Sequence, residues 1–255
     1  MSTFVIGDIH GYLDRLCALL RGADLVDDGL NWSGGVHRLW LLGDLFDRGP
    51  GGLDVLRLVM RLQHQASPAG GSVNVLLGNH EALILAALKF SRQPTGGPGG
   101  TFLADWEING GNAADLDGLT PVEAAWLAHL PVLGREDGTI FAHADSEFYM
   151  LYGQTIEDVN LTVADLLAGE DACAWETFMH RFAMRMSFFR SGLALSGFLN
   201  QYGGKRLVHG HTPVYRMSGR PARSVISAFE YREGRCVNVD GGMYLGGQGF
   251  VFRLP

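Results

Sequence analysis

The sequence contains few cysteines, and none of them belongs to a metal-binding or disulfide motif. Among its 255 residues there are only three, Cys17, Cys173 and Cys236, and they lie far apart without any CxxC pair. An odd number of scattered cysteines argues against a disulfide framework and against a structural zinc site built on thiolates. We therefore expect a protein of the reducing cytoplasm.

Long hydrophobic runs and blocks of basic residues are absent as well. No apolar run approaches the roughly 18 residues that a membrane span needs, and the first run, Phe4 to Ile6, follows no basic region and leads directly into Gly7. We therefore expect neither a membrane span nor a signal peptide. The net charge of -7, without any Lys/Arg block, argues against a nucleic-acid partner and weakens the hypothesis of a nuclease.

Two further signatures are missing, and both concern phosphate or acyl chemistry. No GxxxxGK[ST] sequence is present, which excludes a P-loop NTPase, and no Ser or Cys nucleophile motif occurs. The chain does have 47% hydrophobic and 18% charged residues, which is typical of a compact fold. Its length suits one large α/β domain, so we predict a single domain over residues 1–255.

Strand patterns alternate with helix patterns through the first 90 residues. Apolar runs at residues 39–42 and 73–77 are separated by helical periodicity, in which Leu53, Leu56 and Met60 share one face. This order favours parallel strands joined by crossover helices. Near the C-terminus, residues 225–231 and 236–239 flank a predicted hairpin turn, and residues 249–254 are predicted to form a last strand.

The middle of the chain breaks this alternation. Residues 91–118 include a Pro- and Gly-rich stretch, so we expect a loop or helical cap over about 91–130. Within it, Thr120, Pro121 and Glu123 form a capping box that should open a helix. Another helix is predicted from about Ala172 to Phe189.

Five short motifs share one design, in which an apolar run is followed at once by polar residues beside glycine or alanine. They are Gly7-Asp8-Ile9-His10-Gly11, Gly43-Asp44-Leu45-Phe46-Asp47-Arg48-Gly49, Gly78-Asn79-His80-Glu81, His143-Ala144-Asp145 and His209-Gly210-His211-Thr212-Pro213. A buried strand would end at each motif and present a polar group at its carboxyl edge, where ligand sites of α/β sheets form. Taken singly, each motif is usually a turn, but five in order favour a common site.

The residue types in these motifs suit a pair of divalent metal ions. Carboxylate, imidazole and amide oxygen together fit manganese, iron or zinc better than calcium. Two ions at about 3.5–4 Å need a bridging carboxylate. Asp44 is the candidate for that bridge.

The five motifs together resemble the PPP-type branch of the calcineurin-like metallophosphoesterases. GDxHG, GDxxDRG, GNHE, a later His after a strand, and GHTP occur in that order over residues 7–213, and Trp106 to Gly111 resembles a segment of bacterial members. The resemblance implies an α/β fold of two packed mixed β-sheets flanked by helices. It also implies a bacterial protein phosphatase or a diadenosine tetraphosphate hydrolase rather than a eukaryotic enzyme.

The resemblance also assigns roles to individual residues. One metal would be held by Asp8 and His10, the other by Asn79, His143 and His211, with Asp44 between them. His80 would be the general acid, oriented by Asp47, and Arg48 would bind phosphoryl oxygens. A second phosphate-binding Arg is expected, with Arg190 as the choice and Arg185 as the runner-up. We expect manganese as the cofactor, with iron or zinc as alternatives.

Several neighbouring residues do not follow the resembled pattern or remain open. The fourth motif reads His143-Ala144-Asp145, whereas the family usually has Gly soon after this His. Asp145 would repel an anionic substrate, orient His143, or be a simple loop carboxylate. Pro213 replaces the second metal-binding His of many wider relatives. His209 is interpreted as structural, and Asp240 either lies near the site or only ends a strand.

The predicted activity is hydrolysis of a phosphoester through a dinuclear metal centre and a bridging hydroxide. We predict a protein phosphatase acting on phospho-Ser/Thr or phospho-Tyr, with a symmetrical dinucleoside polyphosphate hydrolase as the alternative. The partner would therefore be a phosphorylated protein or peptide, or a nucleotide, and neither nucleic acid nor membrane. A non-catalytic binding module is the competing class, although degenerate modules should lack ligands or the acid, and none is missing here.

Overall fold

The computed structural model describes all residues from Met1 to Pro255. Nine strands occur, and each is short. They are β1 Thr3–Ile6, β2 Arg38–Leu41, β3 Ser72–Val75, β4 Leu133–Glu136, β5 Thr139–Ala142, β6 Arg206–His209, β7 Phe229–Tyr231, β8 Cys236–Asn238 and β9 Phe252–Arg253.

Eleven α-helices connect or cover these strands. They are α1 Leu13–Gly22, α2 Gly52–Ala66, α3 Asn79–Phe90, α4 Phe102–Ile108, α5 Ala113–Gly118, α6 Pro121–Ala128, α7 Ile156–Ala168, α8 Ala172–Phe182, α9 Ser187–Arg190, α10 Gly192–Tyr202 and α11 Val214–Ser218. None of the helices is long and apolar enough to cross a membrane.

The strands form two mixed sheets, as the resemblance implies. The first has the order β3-β2-β1-β9, with β1, β2 and β3 parallel and β9 antiparallel. The second has the order β4-β5-β6-β8-β7, with β5, β6 and β8 parallel and both edge strands antiparallel. The parallel core of the first sheet confirms the crossover topology expected for the first 90 residues.

Alternating side chains along the strands build two apolar layers. In β2, the side chain of Trp40 belongs to one buried cluster, whereas those of Leu39 and Leu41 belong to the other. In β5, Phe141 and Ile140 divide in the same way, because successive side chains of a strand point to opposite faces. One cluster lies between the two sheets, and the larger one lies between the sheets and the helices.

A stacked aromatic pair joins the two sheets. The rings of Trp40 and Phe141 lie 4.3 Å apart at 9°. Gly134 in β4 leaves room for this pair, since a Cβ there would come within 2.3 Å of the Trp40 ring. The Trp40 indole also donates to Glu136 at 3.0 Å, which satisfies its only polar atom.

The predicted C-terminal elements differ in detail from the structure, unlike the predicted cap region. Residues 91–101 form a loop, and α4, α5 and α6 follow it, as expected of a loop and helical cap; the Thr120–Glu123 capping box is confirmed. The last strand is confined to β9. The predicted helix over 172–189 was wrong in its middle: it breaks into α8 and α9, because Met186 adopts a left-handed backbone with φ 67°.

The sheet interface offers a test of stability. We expect Phe141→Ala to lower the free energy of unfolding by about 3–5 kcal/mol, because it removes a fully buried ring and leaves a cavity. Leu193→Ala is the control, since Leu193 is 87% exposed and should change stability by less than about 0.5 kcal/mol. Denaturant unfolding measures both, and a loss below about 1 kcal/mol for Phe141→Ala would contradict this packing.

Candidate metal centre

The polar residues of the five motifs meet at one edge of the two sheets. Asp8 follows β1, Asp44 follows β2, and His143 follows β5, so each lies where a parallel strand ends. Carboxyl ends of parallel strands share an edge, which brings these side chains together. Left-handed backbone at His10 and His211, with φ of 52° and 66°, marks the same place as strained.

Two clusters of candidate ligands share Asp44. One contains His10, Asp44 and His80, and the other contains Asp44, His143 and His211, with the ligand atoms of each cluster within 4.8 Å of one another. Nε2 of His10 lies 3.6 Å from Asp44 Oδ2, and Nε2 of His143 lies 3.4 Å from Asp44 Oδ1. Asp44 therefore has one oxygen facing each cluster.

The hydrogen bonds of the imidazole rings fix which nitrogen is free. Nδ1 of His143 lies 2.7 Å from the Leu42 carbonyl, and Nε2 of His211 lies 3.2 Å from the Ala183 carbonyl, so each of these nitrogens donates. Their other nitrogens, which carry lone pairs, face each other at 3.1 Å. Asn79 Oδ1 is a further acceptor, 3.0 Å from His143 Nε2.

Acceptors that converge in this way repel one another unless a cation lies among them. The donor set of carboxylate, imidazole and amide oxygen is the one that divalent transition metals bind. The rings are also held from behind by backbone carbonyls, as metal-ligating histidines usually are. The second cluster therefore fits a divalent metal ion.

The first cluster is completed by Asp8, which lies 3.9 Å from His10 Nε2 through Oδ2. His10 Nδ1 lies 2.9 Å from the Phe46 carbonyl and donates to it, so Nε2 is the nitrogen that carries the lone pair. Burial, together with the charge of Asp44, raises the pKa of Asp8 to about 6, and burial raises the pKa of Asp44 to about 7. Burial lowers the pKa of His10, which keeps the ring neutral and able to bind a metal.

His80 of the first cluster also forms a buried pair with Asp47. Nδ1 of His80 lies 2.6 Å from Asp47 Oδ2, and the Trp106 indole donates to Asp47 Oδ1 at 2.9 Å. Burial lowers the pKa of His80 and raises that of Asp47 to about 7. Trp106 thereby fixes the carboxylate that fixes the imidazole.

Arg48 spans the two histidines at the edge of this pair. Its Nη1 lies 2.8 Å from His10 Nε2, and its Nη2 lies 2.9 Å from His80 Nε2. The guanidinium also lies 4.0 Å from the centre of the Tyr244 ring, which packs edge-on against His10. Tyr244 was missed by the sequence analysis because it lies in a Gly-rich segment outside every motif.

Glu81 is a second residue whose role the sequence did not reveal, although it lies in the third motif. Its carboxylate accepts hydrogen bonds from the backbone N–H groups of Asp44 at 2.7 Å, Leu45 at 2.7 Å and Gly78 at 2.8 Å. A side chain at Gly78 would come within 2.3 Å of Asp44 Oδ1, so glycine is required there. Glu81 thus fixes the backbone of two motifs to each other.

The structure places Arg185, and not Arg190, against the site. Arg190 ends α9 with an exposed side chain that makes no hydrogen bond. Arg185 is half-buried, lies between α8 and α9, and donates to the His211 carbonyl at 3.5 Å. Of the two arginines, the runner-up Arg185 therefore lies beside the second ligand cluster, because the chain breaks after Phe182, and a phosphate-binding role for either arginine stays a prediction.

Three residues had no assigned role at the site from the sequence, and one of them, Asp240, interacts electrostatically with the candidate ligand Asp8. Asp240 is fully buried and its Oδ2 has no partner, while burial and the charge of Asp8 raise its pKa. His209 lies 2.9 Å from the Tyr231 hydroxyl through Nε2 and is not among the clustered ligands. Asp145 makes no hydrogen bond to the His143 ring; its carboxylate accepts from the Met186 N–H at 2.6 Å.

A cavity of about 600 Å³ opens from Asn79. Its walls are the loop at residues 96–98 and one face of α8, and they carry both acidic and basic groups, including Glu176 and Arg181. Glu176 also accepts from the Gly96 N–H at 2.6 Å, which ties the loop to the helix. Through Asn79 the cavity adjoins the second ligand cluster.

Two bacterial proteins of the same name share part of this sequence. A bis(5'-nucleosyl)-tetraphosphatase (symmetrical) of Enterobacter sp. (strain 638) is 48% identical over 86 residues, which cover 34% of this chain and 26% of that protein. A protein of the same name from Salmonella enteritidis PT4 is 45% identical over 86 residues, with the same coverage. The chain thus spans about a quarter of the length of the curated relatives it matches.

Solved structures show the same fold at low identity. The cold-active protein-tyrosine phosphatase of a psychrophile Shewanella sp. aligns with a TM-score of 0.74 and 20% identity, covering 99% of this chain and 75% of that one. A protein serine/threonine phosphatase from Saccharomyces cerevisiae aligns with a TM-score of 0.61 and 15% identity, covering 99% and 72%. The sequence model for calcineurin-like phosphoesterases matches residues 1–215, and the chain therefore belongs to the calcineurin-like phosphoesterase family.

Proposed function

We propose that this protein is a metal-dependent hydrolase of phosphoesters. The observation that carries the proposal is the shared carboxylate of Asp44, which faces a ligand cluster on each side, with the His80–Asp47 pair beside it. Two cations held in this way would activate water and neutralise phosphoryl oxygens. Residues 1–255 would act as one domain, with α4 to α6 as its cap.

The proposed ligands are those that the motifs suggest. Asp8, His10 and Asp44 would hold one ion. Asp44, Asn79, His143 and His211 would hold the other. Manganese is our choice of metal, with iron or zinc as alternatives, because oxygen and imidazole ligands suit all three.

The chain's own residues would bind the phosphoryl group and move the proton. Arg48 directs two nitrogens into the space between His10 and His80, so the same fork would bind two phosphoryl oxygens. His80 would donate the proton to the leaving oxygen as general acid. Asp47 would hold the His80 ring in place, and the burial of both side chains would exclude water.

Two substrate classes remain as candidates, and they differ in the leaving group. The Trp106 indole donates to Asp47 and would thus support the proposed acid in either class, so the segment from Trp106 to Gly111 favours neither. The names of the curated relatives favour a dinucleoside polyphosphate. The cavity beside Asn79 offers space for a nucleoside or for a peptide side chain.

A direct comparison should separate these two classes. The metal-loaded protein is given phosphoserine, phosphothreonine and phosphotyrosine peptides and, separately, diadenosine tetraphosphate, and kcat/KM is measured for each. A protein phosphatase should prefer a peptide at least about 10-fold, which corresponds to 1.4 kcal/mol of transition-state binding. A preference of that size for the dinucleotide would assign the alternative, and turnover of neither would contradict the proposed function.

Replacement of His80 tests the proposed general acid. We expect His80→Ala to reduce kcat on an alkyl phosphoester by about 10²–10⁴-fold, because the leaving oxygen loses its proton donor. A nitrophenyl ester should be affected less, since its leaving group needs little protonation. His129→Ala is the control, because His129 is exposed and its ring hydrogen-bonds only to the Ala125 carbonyl.

Metal content decides whether His80 is an acid or a ligand. His80 belongs to one of the two clusters, so a ligand role is the alternative. Mass spectrometry of the bound metal should give the same stoichiometry for His80→Ala and the wild type. Loss of one metal equivalent would make His80 a ligand and would refute the assigned role.

Arg185 and Arg190 form a matched pair for testing phosphate binding. Arg185→Ala should lower kcat/KM by about 10-fold to 100-fold, because a charge-assisted hydrogen bond contributes about 1.5–3 kcal/mol. Arg190→Ala should leave kcat/KM unchanged, since its side chain is exposed and unpaired. The inverse result, a loss only for Arg190→Ala, would restore the assignment made from the sequence.

A further inference from the structure

Asp145 lies two residues after His143 and is fully buried, yet it is not among the clustered metal ligands. A buried carboxylate is costly unless its oxygens are hydrogen-bonded. Its contacts therefore show what it does. Those contacts point away from the ligand clusters and toward the break between α8 and α9.

The carboxylate and the carbonyl of Asp145 together hold the start of α9. Oδ1 accepts from the Met186 N–H at 2.6 Å, and Oδ2 accepts from the Phe189 N–H at 3.4 Å. The Asp145 carbonyl accepts from the Ser187 N–H at 3.0 Å. These are N–H groups that a helix start leaves without intrahelical partners.

The backbone that Asp145 holds is strained. Met186 has φ 67°, which is a left-handed backbone conformation. For any residue other than glycine this conformation is unfavourable in free energy, and it persists only where neighbouring groups impose it. The shortest of the three hydrogen bonds goes to the N–H of this same residue. The carboxylate thus stabilises the turn that ends one helix and begins the next.

A second layer holds Asp145 itself. The Tyr231 hydroxyl lies 3.1 Å from Asp145 Oδ2 and 2.9 Å from His209 Nε2. Arg232, next to Tyr231, donates to the carbonyls of Phe188 at 3.0 Å and Phe189 at 2.5 Å. The end of β7 and helix α9 are therefore tied together around one carboxylate.

Arg185 immediately precedes the residue that Asp145 holds. Its guanidinium reaches the His211 carbonyl at 3.5 Å, so a shift of the turn would move this charge relative to the second ligand cluster. We propose that Asp145 is a positioning residue that directs Arg185 toward the phosphoryl-binding site. The inference rests on the proposed function, and it replaces the expectations that Asp145 orients His143 or repels substrate.

The test is a double-mutant cycle on the metal-loaded protein, with Asp145→Ala, Arg185→Ala and the double variant. Asp145→Ala should lower kcat/KM for nitrophenyl phosphate by about 10-fold to 100-fold, because a misplacement of about 1 Å has effects of this size. In the Arg185→Ala background the same change should have less than about a 3-fold effect, because residues that act through one another are not additive. Calorimetric binding of inorganic phosphate should weaken in parallel.

Matched variants separate positioning from general stability. Asp171→Ala removes another carboxylate that caps a helix start, accepting from Cys173 and Ala174, and should leave kcat/KM unchanged. Asp145→Asn keeps an acceptor for the Met186 N–H and should restore most of the activity. If Asp145→Ala does not fold, the cycle is run with Asp145→Ser, whose shorter side chain cannot reach both the Met186 and the Phe189 N–H groups, and an effect of equal size in both Arg185 backgrounds overturns the proposal.

Other outcomes distinguish this proposal from the proposed function. If the wild type turns over substrate and binds phosphate, and Asp145→Ala has the same kcat/KM and the same phosphate affinity, only the role of Asp145 is contradicted. A lower metal content in Asp145→Ala would indicate that Asp145 supports metal binding by His143 rather than the position of Arg185, and would also overturn the proposal. If the wild type lacks turnover, the proposed function fails, and the cycle on phosphate binding still decides whether Asp145 acts through Arg185.

Discussion

The carboxylate of Asp44 is buried between two sets of imidazole nitrogens whose lone pairs point toward it. Such an arrangement is unfavourable, because burial raises the pKa of Asp44 to about 7 and, apart from the His80 backbone N–H at 3.0 Å from Oδ1, no ring N–H of His10 or His143 faces the carboxylate. Cations on both sides would relieve the repulsion and would hold the carboxylate ionised. The rest of the structure can be understood as the support that holds this carboxylate in place.

That support begins with backbone hydrogen bonds rather than with side chains. Glu81 binds the N–H groups of Asp44, Leu45 and Gly78, which fixes the second motif to the third. Left-handed conformations at His10, Asp44 and His211 cost of order 1–3 kcal/mol each. The fold tolerates this strain because the strands beneath are buried on both faces, and because carbonyls hold the rings of His10, His143 and His211.

The sequence predicted the part of the structure that short-range chemistry determines. Strand ends with Gly beside Asp or Asn place Asp8, Asp44 and Asn79 at one sheet edge, and the parallel order of β1 to β3 followed from the spacing of helices. The break between α8 and α9 could not be predicted, because it depends on a hydrogen bond from Met186 to Asp145, 41 residues earlier. For the same reason Arg190 was chosen before Arg185, and Tyr244 carried no local signal. Long-range contacts to a few polar atoms, and not periodicity, decide these positions.

The most direct measurement is anomalous diffraction from crystals of the manganese-loaded protein, recorded so that manganese scatters strongly. We expect two peaks, one on each side of the Asp44 carboxylate, the first beside His10 and the second beside His143 and His211. A single peak, or peaks only away from Asp44, would contradict the paired-metal site on which the proposed hydrolysis of phosphoesters depends.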